Sequence, residues 1–537
     1  MTTTTSLDDL RTQLAAMLAE GRGDDVLDIV ITLLASMRDK NTALAMDVAR
    51  LLRQRVGRTS EKVDAAQLSL LLGMLEAPAA ADGAAAEPPA AATLPRAKTK
   101  PAKEGHGRKP LPPHLERQEI VHAVPAGERA CPTCGAERTC IGHERSEVLE
   151  FVPATFKVEV HIREKLACRA CEGAVATAPA ADKVIERGLP GPGLLAHVVV
   201  SKYQDHCPLH RLRRIYLRDG VDLAVSTLAG WVEACHDALH PLAERIRALA
   251  RTAYLVQADD TGLKVLDKDS PGGSKRGHLW CYVGDEKLVA IVYTPSWRKE
   301  GPQGFLADRR GYVQADAYKG YDGLFAREGA TAVEVGCWAH ARRYYYETLQ
   351  MGDVRAAVPM KFIQDLYAVE ARAKDLGLDP QARKELRQAE SMPILLQLGR
   401  WLADTYNAEP PKSPLAKAAG YSVRQWEALK RYTEDGRLPI DNTGCERALR
   451  GIAVGRKNYL FAGSDGGAER AATMYTILGT CALAGVEPLA YVREVLIKLQ
   501  GGWPAARIDE LLPAHWATTR AARTEAPAPA PTAPAPA

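Results

Sequence analysis

Tyr254-Leu255-Val256-Gln257-Ala258-Asp259 and Tyr312-Val313-Gln314-Ala315-Asp316 are the stretches on which the fold turns. Each is an apolar run of strand length that ends on an aspartate, so each carboxylate is expected to project from the end of a strand. Further apolar, β-branched runs lie at 279–283, 288–293 and 332–336, and Gly284-Asp285-Glu286-Lys287 supplies hairpin residues between the first two of these. Helical spacing covers 185–250, returns from about 347 to 430 and continues beyond 444. The expected class is a multidomain α+β or α/β chain whose mixed sheet is interrupted by a helical insertion and then completed.

Composition sets the outer boundaries. Residues 1–76 form an expected helical arm, with Leu27, Val30, Leu34 and Met37, then Leu44, Val48, Leu51 and Leu52, at helix spacing. A small bundle and a coiled coil fit this spacing equally. Residues 77–113 are an Ala/Pro-rich linker with a basic end, 114–175 carry a cysteine cluster, and 176–250 are helical. The core is expected at 251–346 and 436–500, around an insertion at 347–435. A C-terminal element at 501–525 precedes an Ala/Pro tail at 526–537 that cannot form a core.

The 537 residues include 70 Lys or Arg and 66 Asp or Glu, a formal net charge of +4, which excludes a wholly basic, histone-like protein. No apolar run approaches the roughly 20 residues of a membrane span, and the N-terminus lacks the basic-then-apolar order of a secretory signal. A cytoplasmic address without membrane association is expected. Eleven cysteines are too few and too uneven for a disulfide scaffold. Cys131-Pro-Thr-Cys134-Gly and Cys168-Arg-Ala-Cys171 form two knuckles, each aiming two thiolates at one point, and together they make the closed tetrahedron of a structural zinc site.

Basic residues suggest DNA. The segment from Pro208 to Asp219-Gly220, followed by Ser226-Thr227-Leu-Ala-Gly-Trp-Val232, reads as helix, turn, helix, with Ser226 as N-cap. Arg211, Arg213 and Arg214 would then cross phosphates, with Ser226 and Thr227 entering a groove; a plain helical hairpin is the alternative. Downstream, Asn442 or Thr443 would cap a helix bearing Glu446, with Arg447 and Arg450 on its next turn. Arg456, Lys457 and Tyr459 offer cations and an aromatic to nucleic acid, although Leu460 and Phe461 beside them argue for partial burial. Two strand-borne aspartates and a helix-borne glutamate are what two-metal phosphoryl transfer requires.

The order of zinc knuckles, Gln257-Ala-Asp-Asp-Thr261, Gln314-Ala-Asp-Ala-Tyr318, Cys337-Trp-Ala-His-Ala-Arg-Arg343 and Asp441-Asn-Thr-Gly-Cys-Glu-Arg-Ala-Leu-Arg450 resembles the transposases of the insertion-sequence 66 family over nearly the whole chain. The resemblance implies a ribonuclease-H-like core with catalytic Asp259, Asp316 and Glu446, 57 and 130 positions apart, holding two Mg²⁺ or Mn²⁺. It also implies binding of terminal inverted repeats, 3′-end cleavage and joining to target DNA by a homo-oligomer, with small accessory proteins of the same element as further partners. By its place at the expected start of a helix, His340 would touch DNA or the metal site, or else serve as a packing histidine. The family's usual Asp-Glu-Thr reads Asp259-Asp260-Thr261 here, which leaves the role of Asp260 open, and its usual two Asn before the Glu motif read Asn442-Thr443. The alternatives are a zinc-containing DNA-binding regulator derived from a transposase, and a metal-dependent nuclease without strand transfer.

Overall fold

The computed structural model describes residues 7–32, 65–76, 156–160, 165–166, 176–177, 183–186, 188–326 and 329–525. The chain divides into two units, Pro78–Ile162 and the remainder, and the architecture below is that of the remainder. The linker, the tail and all four knuckle cysteines lie outside the described residues, although Lys165–Leu166 pairs antiparallel with Ala176–Thr177 on either side of the second knuckle.

One mixed sheet organises a mostly helical chain. Its strands are β1 (Leu255–Leu266), β2 (Ser274–Gly284), β3 (Leu288–Thr294), β4 (Gly311–Gln314) and β5 (Ala332–Val335), in the order β3-β2-β1-β4-β5. The β1–β2 and β2–β3 pairs are antiparallel, whereas β4 and β5 run parallel to β1. Asp285 and Glu286 adopt positive φ (48° and 56°) to close the β2–β3 hairpin, a conformation acidic residues tolerate better than branched ones. The first strand is longer than its apolar run. Polar residues 259–262 and 264 stay in β1 because β2 supplies a hydrogen-bonded partner along the whole stretch, so pairing outweighs composition.

Both sheet faces are covered. Leu279, Cys281 and Val283 of β2 join a core with α1 (Pro192–Tyr203), α2 (Leu209–Arg218) and α3 (Val225–Thr252), while Trp280 and Tyr282 point into a second core with Val256, Ala258 and Val313. The edge strand β3 is capped by side chains from α9 (Asp465–Leu483): the N–H groups of Val289 and Ile291 donate to Oγ1 of Thr480 and Thr476, at 3.1 and 2.9 Å. Four residues of helix and two of strand both span about 6 Å, so the spacings match. This removes donors that an exposed edge would offer to another chain.

Between β5 and the Glu446 helix lie α4 (Trp338–Gln350), α5 (Ala357–Asp375), α6 (Met392–Ala408) and α7 (Pro414–Arg424), around a third core containing Trp338, Tyr345, Ile363, Leu398 and Tyr432. Leu68, from the N-terminal helix Ala65–Glu76, is buried in it. Arg387, fully buried, grips Glu370 with both prongs at 2.7 Å and donates to the carbonyls of Tyr432 and Asp435. That anchors the turn from which residues 436–442 run back to the sheet.

Candidate active site

The parallel register aligns the glutamines that precede the aspartates. Leu255 sits opposite Tyr312 and Gln257 opposite Gln314, an offset of 57, which is also the separation of Asp259 and Asp316. Each aspartate therefore follows a register-matched glutamine by two residues, Asp259 within its strand and Asp316 just beyond the end of the neighbouring one. β4 ends at Gln314, and the chain turns away through Ala317 at φ 62°. β1 carries on, so Asp259 lies inside a strand, at the point where its β4 partner stops, rather than at the strand end expected from sequence.

Side-chain amides lock this junction. Gln257 Nε2 donates to Gln314 Oε1 (3.0 Å) and to the carbonyl of Asp441 (2.9 Å), while Gln314 Nε2 donates to the carbonyls of Gly336 (3.1 Å) and Pro439 (2.9 Å). Asn442 Nδ2 donates to the carbonyl of Ala258 at 3.3 Å, and Asn442 Oδ1 accepts from the Cys337 thiol at 3.1 Å. Asn442 thus occupies the N-cap position of α8 (Thr443–Tyr459) without capping it by its side chain. Asp441 Oδ1 accepts from Thr443 N (3.0 Å) instead. Sequence reasoning missed Gln257 and Gln314; a polar residue inside each otherwise apolar run was the available signal.

Packing then sets Glu446. A β-carbon on Gly444 would stand 2.3 Å from Gln257 Oε1, so only glycine admits this approach of α8 to β1. The buried Cys445 thiol donates to the carbonyl of Cys281 (3.2 Å), and Leu449 and Ile452 continue the buried stripe. Glu446 is left one-third exposed, with Oε1 3.7 Å from Arg343 Nη2 and 4.0 Å from His340 Nε2. Arg447 and Arg450 are exposed on the next turn.

Electrostatics marks Asp259. Burial, then the charges of Asp316, Asp260 and Glu446, push its carboxyl up to about 7, against the pull of the Asp260 N–H on its Oδ1 (2.8 Å). Among the described residues neither Asp259 nor Asp316 is paired with a basic side chain. Concentrated carboxylates without a cation fit a hard divalent ion, whose preferred donors are oxygens. The side chains are not gathered into a cage, however: among the described residues no three His, Cys, Asp or Glu are placed to hold a metal ion, and Glu446 is turned toward Arg343 and His340.

Asp260 faces the other way. Its Oδ2 lies 2.6 Å from Nδ1 of buried His278 and its Oδ1 accepts from Trp297 Nε1 at 3.1 Å. Trp297, about half exposed, stacks on Tyr318 with centroids 4.6 Å apart, and Tyr318 N donates to Asp316 Oδ1 (3.1 Å).

The other sequence candidates are scattered. Arg211 and Arg214 are exposed on α2, whereas Arg213 is held in a fork by Asp222 at 2.9 and 3.2 Å. Ser226 and Thr227 are exposed in the first turn of α3, whose N-cap position is Ala224, not Ser226. That helix runs 28 residues and buries Leu228, Trp231 and Val232 against the sheet-bearing core. Arg456 donates to the carbonyl of Gly262, and Lys457 is exposed. Leu460 and Phe461, expected to be partly buried, are 65% and 43% exposed because the helix ends there, with Leu460 at φ 62°.

Residues 187–470 match the family model described as "Transposase IS66 family". The chain belongs to that family. In this transposase, residues 128–172, which include the four knuckle cysteines, match the "zinc-finger binding domain of transposase IS66", so the chain carries a zinc-binding domain. Residues 43–120 match "Transposase C of IS166 homeodomain" and 476–514 the "IS66 C-terminal element". The transposase is 33% identical over 510 residues to the uncharacterized protein y4hP of Sinorhizobium fredii (strain NBRC 101917 / NGR234), covering 89% of this chain and 90% of that one. It is 37% identical over 433 residues to y4qI of the same strain, covering 77% and 78%. Among the described residues no helix is long and apolar enough to cross a membrane.

Proposed function

We propose that this transposase binds the terminal inverted repeats of its element, hydrolyses the 3′ ends and joins the freed 3′-hydroxyls to target DNA, with Asp259, Asp316 and Glu446 as catalytic carboxylates. The observation that carries the reading is the register-matched pair Gln257 and Gln314, each two residues ahead of an aspartate, with Asp259 lifted to about 7 by burial and by its acidic neighbours. A carboxylate raised by burial and by neighbouring acids in a cluster supports a functional site. The strand order, with an antiparallel hairpin ahead of two parallel strands, supports a ribonuclease-H-like core.

Asp259, Asp316 and Glu446 are the residues that would hold Mg²⁺ or Mn²⁺, an ion pair that activates the attacking oxygen and neutralises the departing one. The chain's own contribution is placement. The Gln257–Gln314 clamp holds both aspartates at one height, and Gly444 brings α8 close enough to present Glu446. In-line displacement at phosphorus depends on such positioning more than on covalent help. Arg447 and Arg450 stand on the exposed side of α8, suited to phosphates beside the reacting one. Cys131, Cys134, Cys168 and Cys171 are proposed to hold one structural zinc. DNA assembles the working oligomer in this reading, and the accessory proteins of the element join it there.

The test is cleavage of labelled DNA carrying the repeats that flank the gene, with Mg²⁺ present. Strand-specific nicking at the repeat end is expected from the wild type and none from Asp316→Asn. Binding without cleavage by the wild type would return the chain to a DNA-binding regulator, and cleavage without joining to a nuclease.

A further inference from the structure

The guanidinium groups of Arg276 and Arg456 converge on Gly262. Arg456, on α8, donates to the Gly262 carbonyl. Arg276, on β2, lies over the same residue: a β-carbon built on Gly262 would stand 2.6 Å from its Nε and 3.0 Å from its Nη2. Glycine is what lets the side chain lie flat there. Burial and the adjacent Arg276 charge both lower the pKa of Arg456, the signature of cations that repel.

Around them opens a cleft of about 430 Å³ whose lining includes Lys264, Ser274 and Lys275. Lys275 is neutralised by Asp465 at 2.7 Å and Asp267 at 3.3 Å. Among the described residues the side chains of Arg276 and Lys264 meet no carboxylate, and both are exposed. The cleft is lined from both members of the β1–β2 pair, Gly262 to Lys264 on one strand and Ser274 to Arg276 on the other, and from α8 through Arg456. Three uncompensated cations in an open, polar cleft are complementary to an anion that is itself part of a polymer.

We infer that this cleft is a phosphate subsite for the DNA backbone, in which Arg276, Arg456 and Lys264 hold a phosphodiester away from the reacting one. The inference rests on the transposase reading above. Three residues of β1 separate Asp259 from Gly262, about 10 Å, and ten residues of α8 separate Glu446 from Arg456, about 15 Å. The contact reads no base, so it contributes affinity equally to every sequence.

The experiment measures binding of the full-length protein to a fluorescent 30-base-pair duplex of arbitrary sequence, between about 50 and 200 mM salt, without divalent ions, so that cleavage plays no part. Arg276→Ala and Lys264→Ala should each weaken binding and reduce the slope of log Kd against log salt by about 1, equally on an unrelated duplex. Arg276→Lys, which keeps the charge, should retain the slope. An unchanged slope in Arg276→Ala, beside normal wild-type binding, overturns the subsite and leaves the transposase reading intact. A wild type that binds no duplex overturns both. Inorganic phosphate at constant ionic strength is the second probe: relief of the Arg276-dependent part of binding by millimolar phosphate would assign the cleft to a free anion and overturn the polymer assignment, whereas no effect supports it.

Discussion

Gln257 donates from Nε2 to Oε1 of Gln314 at 3.0 Å, two residues before Asp259 and Asp316 respectively, and both amides are buried. This contact ties the two strands that lead to the aspartates; the same amides donate to the carbonyls of Asp441 and Pro439 in the loop leading to Glu446 and to that of Gly336 at the end of β5. The clamp is therefore expected to matter to stability and catalysis together. Gln314→Leu leaves buried carbonyls at Gly336 and Pro439 unpaired, which costs about 1–3 kcal/mol per group. Urea denaturation should show that loss, and cleavage should fall further than the folded fraction explains. An unchanged midpoint would remove the clamp from this account.

Gly444→Ala tests the approach of α8. In an ordinary helix the substitution is neutral or stabilising by about 1 kcal/mol. Here the new methyl meets Gln257 Oε1, so it should destabilise the fold and shift Glu446. Thermal denaturation and cleavage on one preparation would check it; a more stable, fully active variant would refute the close contact.

Asp259→Asn, Asp316→Asn and Glu446→Gln should each abolish cleavage while duplex binding survives, since in the proposed mechanism each removes an oxygen that would hold the metal, with little change of volume. A variant that cuts at the wild-type rate would strike that residue from the site.

Asp259 also makes a pH prediction. Its folded-state pKa, raised to about 7, lies above the unfolded value, so the folded state binds the extra proton. Stability from this group is present at low pH and declines as pH rises from about 4 to about 7. Melting temperatures in buffer without added Mg²⁺ should show that decline. Asp259→Asn should flatten it, Asp316→Asn should shift it to lower pH by removing a like charge, and Mg²⁺ should relieve it. A profile in Asp259→Asn identical to the wild type would contradict the assignment.

Asp260→Asn should be milder than Asp259→Asn, because Asp260 faces His278 and Trp297 on the opposite side of β1 and an amide oxygen still accepts from the Trp297 indole. Paired cleavage and binding assays decide it: a dead Asp260→Asn beside an active Asp259→Asn would invert the roles.

Much of the secondary structure was legible in the chain itself. A strand-length apolar run closing on an acid is a local pattern, and local pattern was enough to place the strands leading to Asp259 and Asp316, the β2–β3 hairpin and the helix of Glu446, while the proposal that these three carboxylates form a site came from the family resemblance. The motif order was enough to suggest the family. What the chain order does not carry is which partners meet. The length of β1 depended on β2 pairing with its polar half, and Asn442 gave its side chain to Ala258 and Cys337 instead of capping its own helix, because burial makes an unpaired carbonyl costlier than an uncapped N–H that Asp441 already serves. Arg213, read as a phosphate contact, is engaged by Asp222, and Ser226 lies inside a helix whose other face the sheet core claims. Apolar periodicity and motif order along the sequence determined the strands, the helices and the family; register, the space a missing β-carbon leaves at Gly444 and Gly262, and the balance of buried charge are properties of contacts between distant segments, and only the tertiary structure decided them.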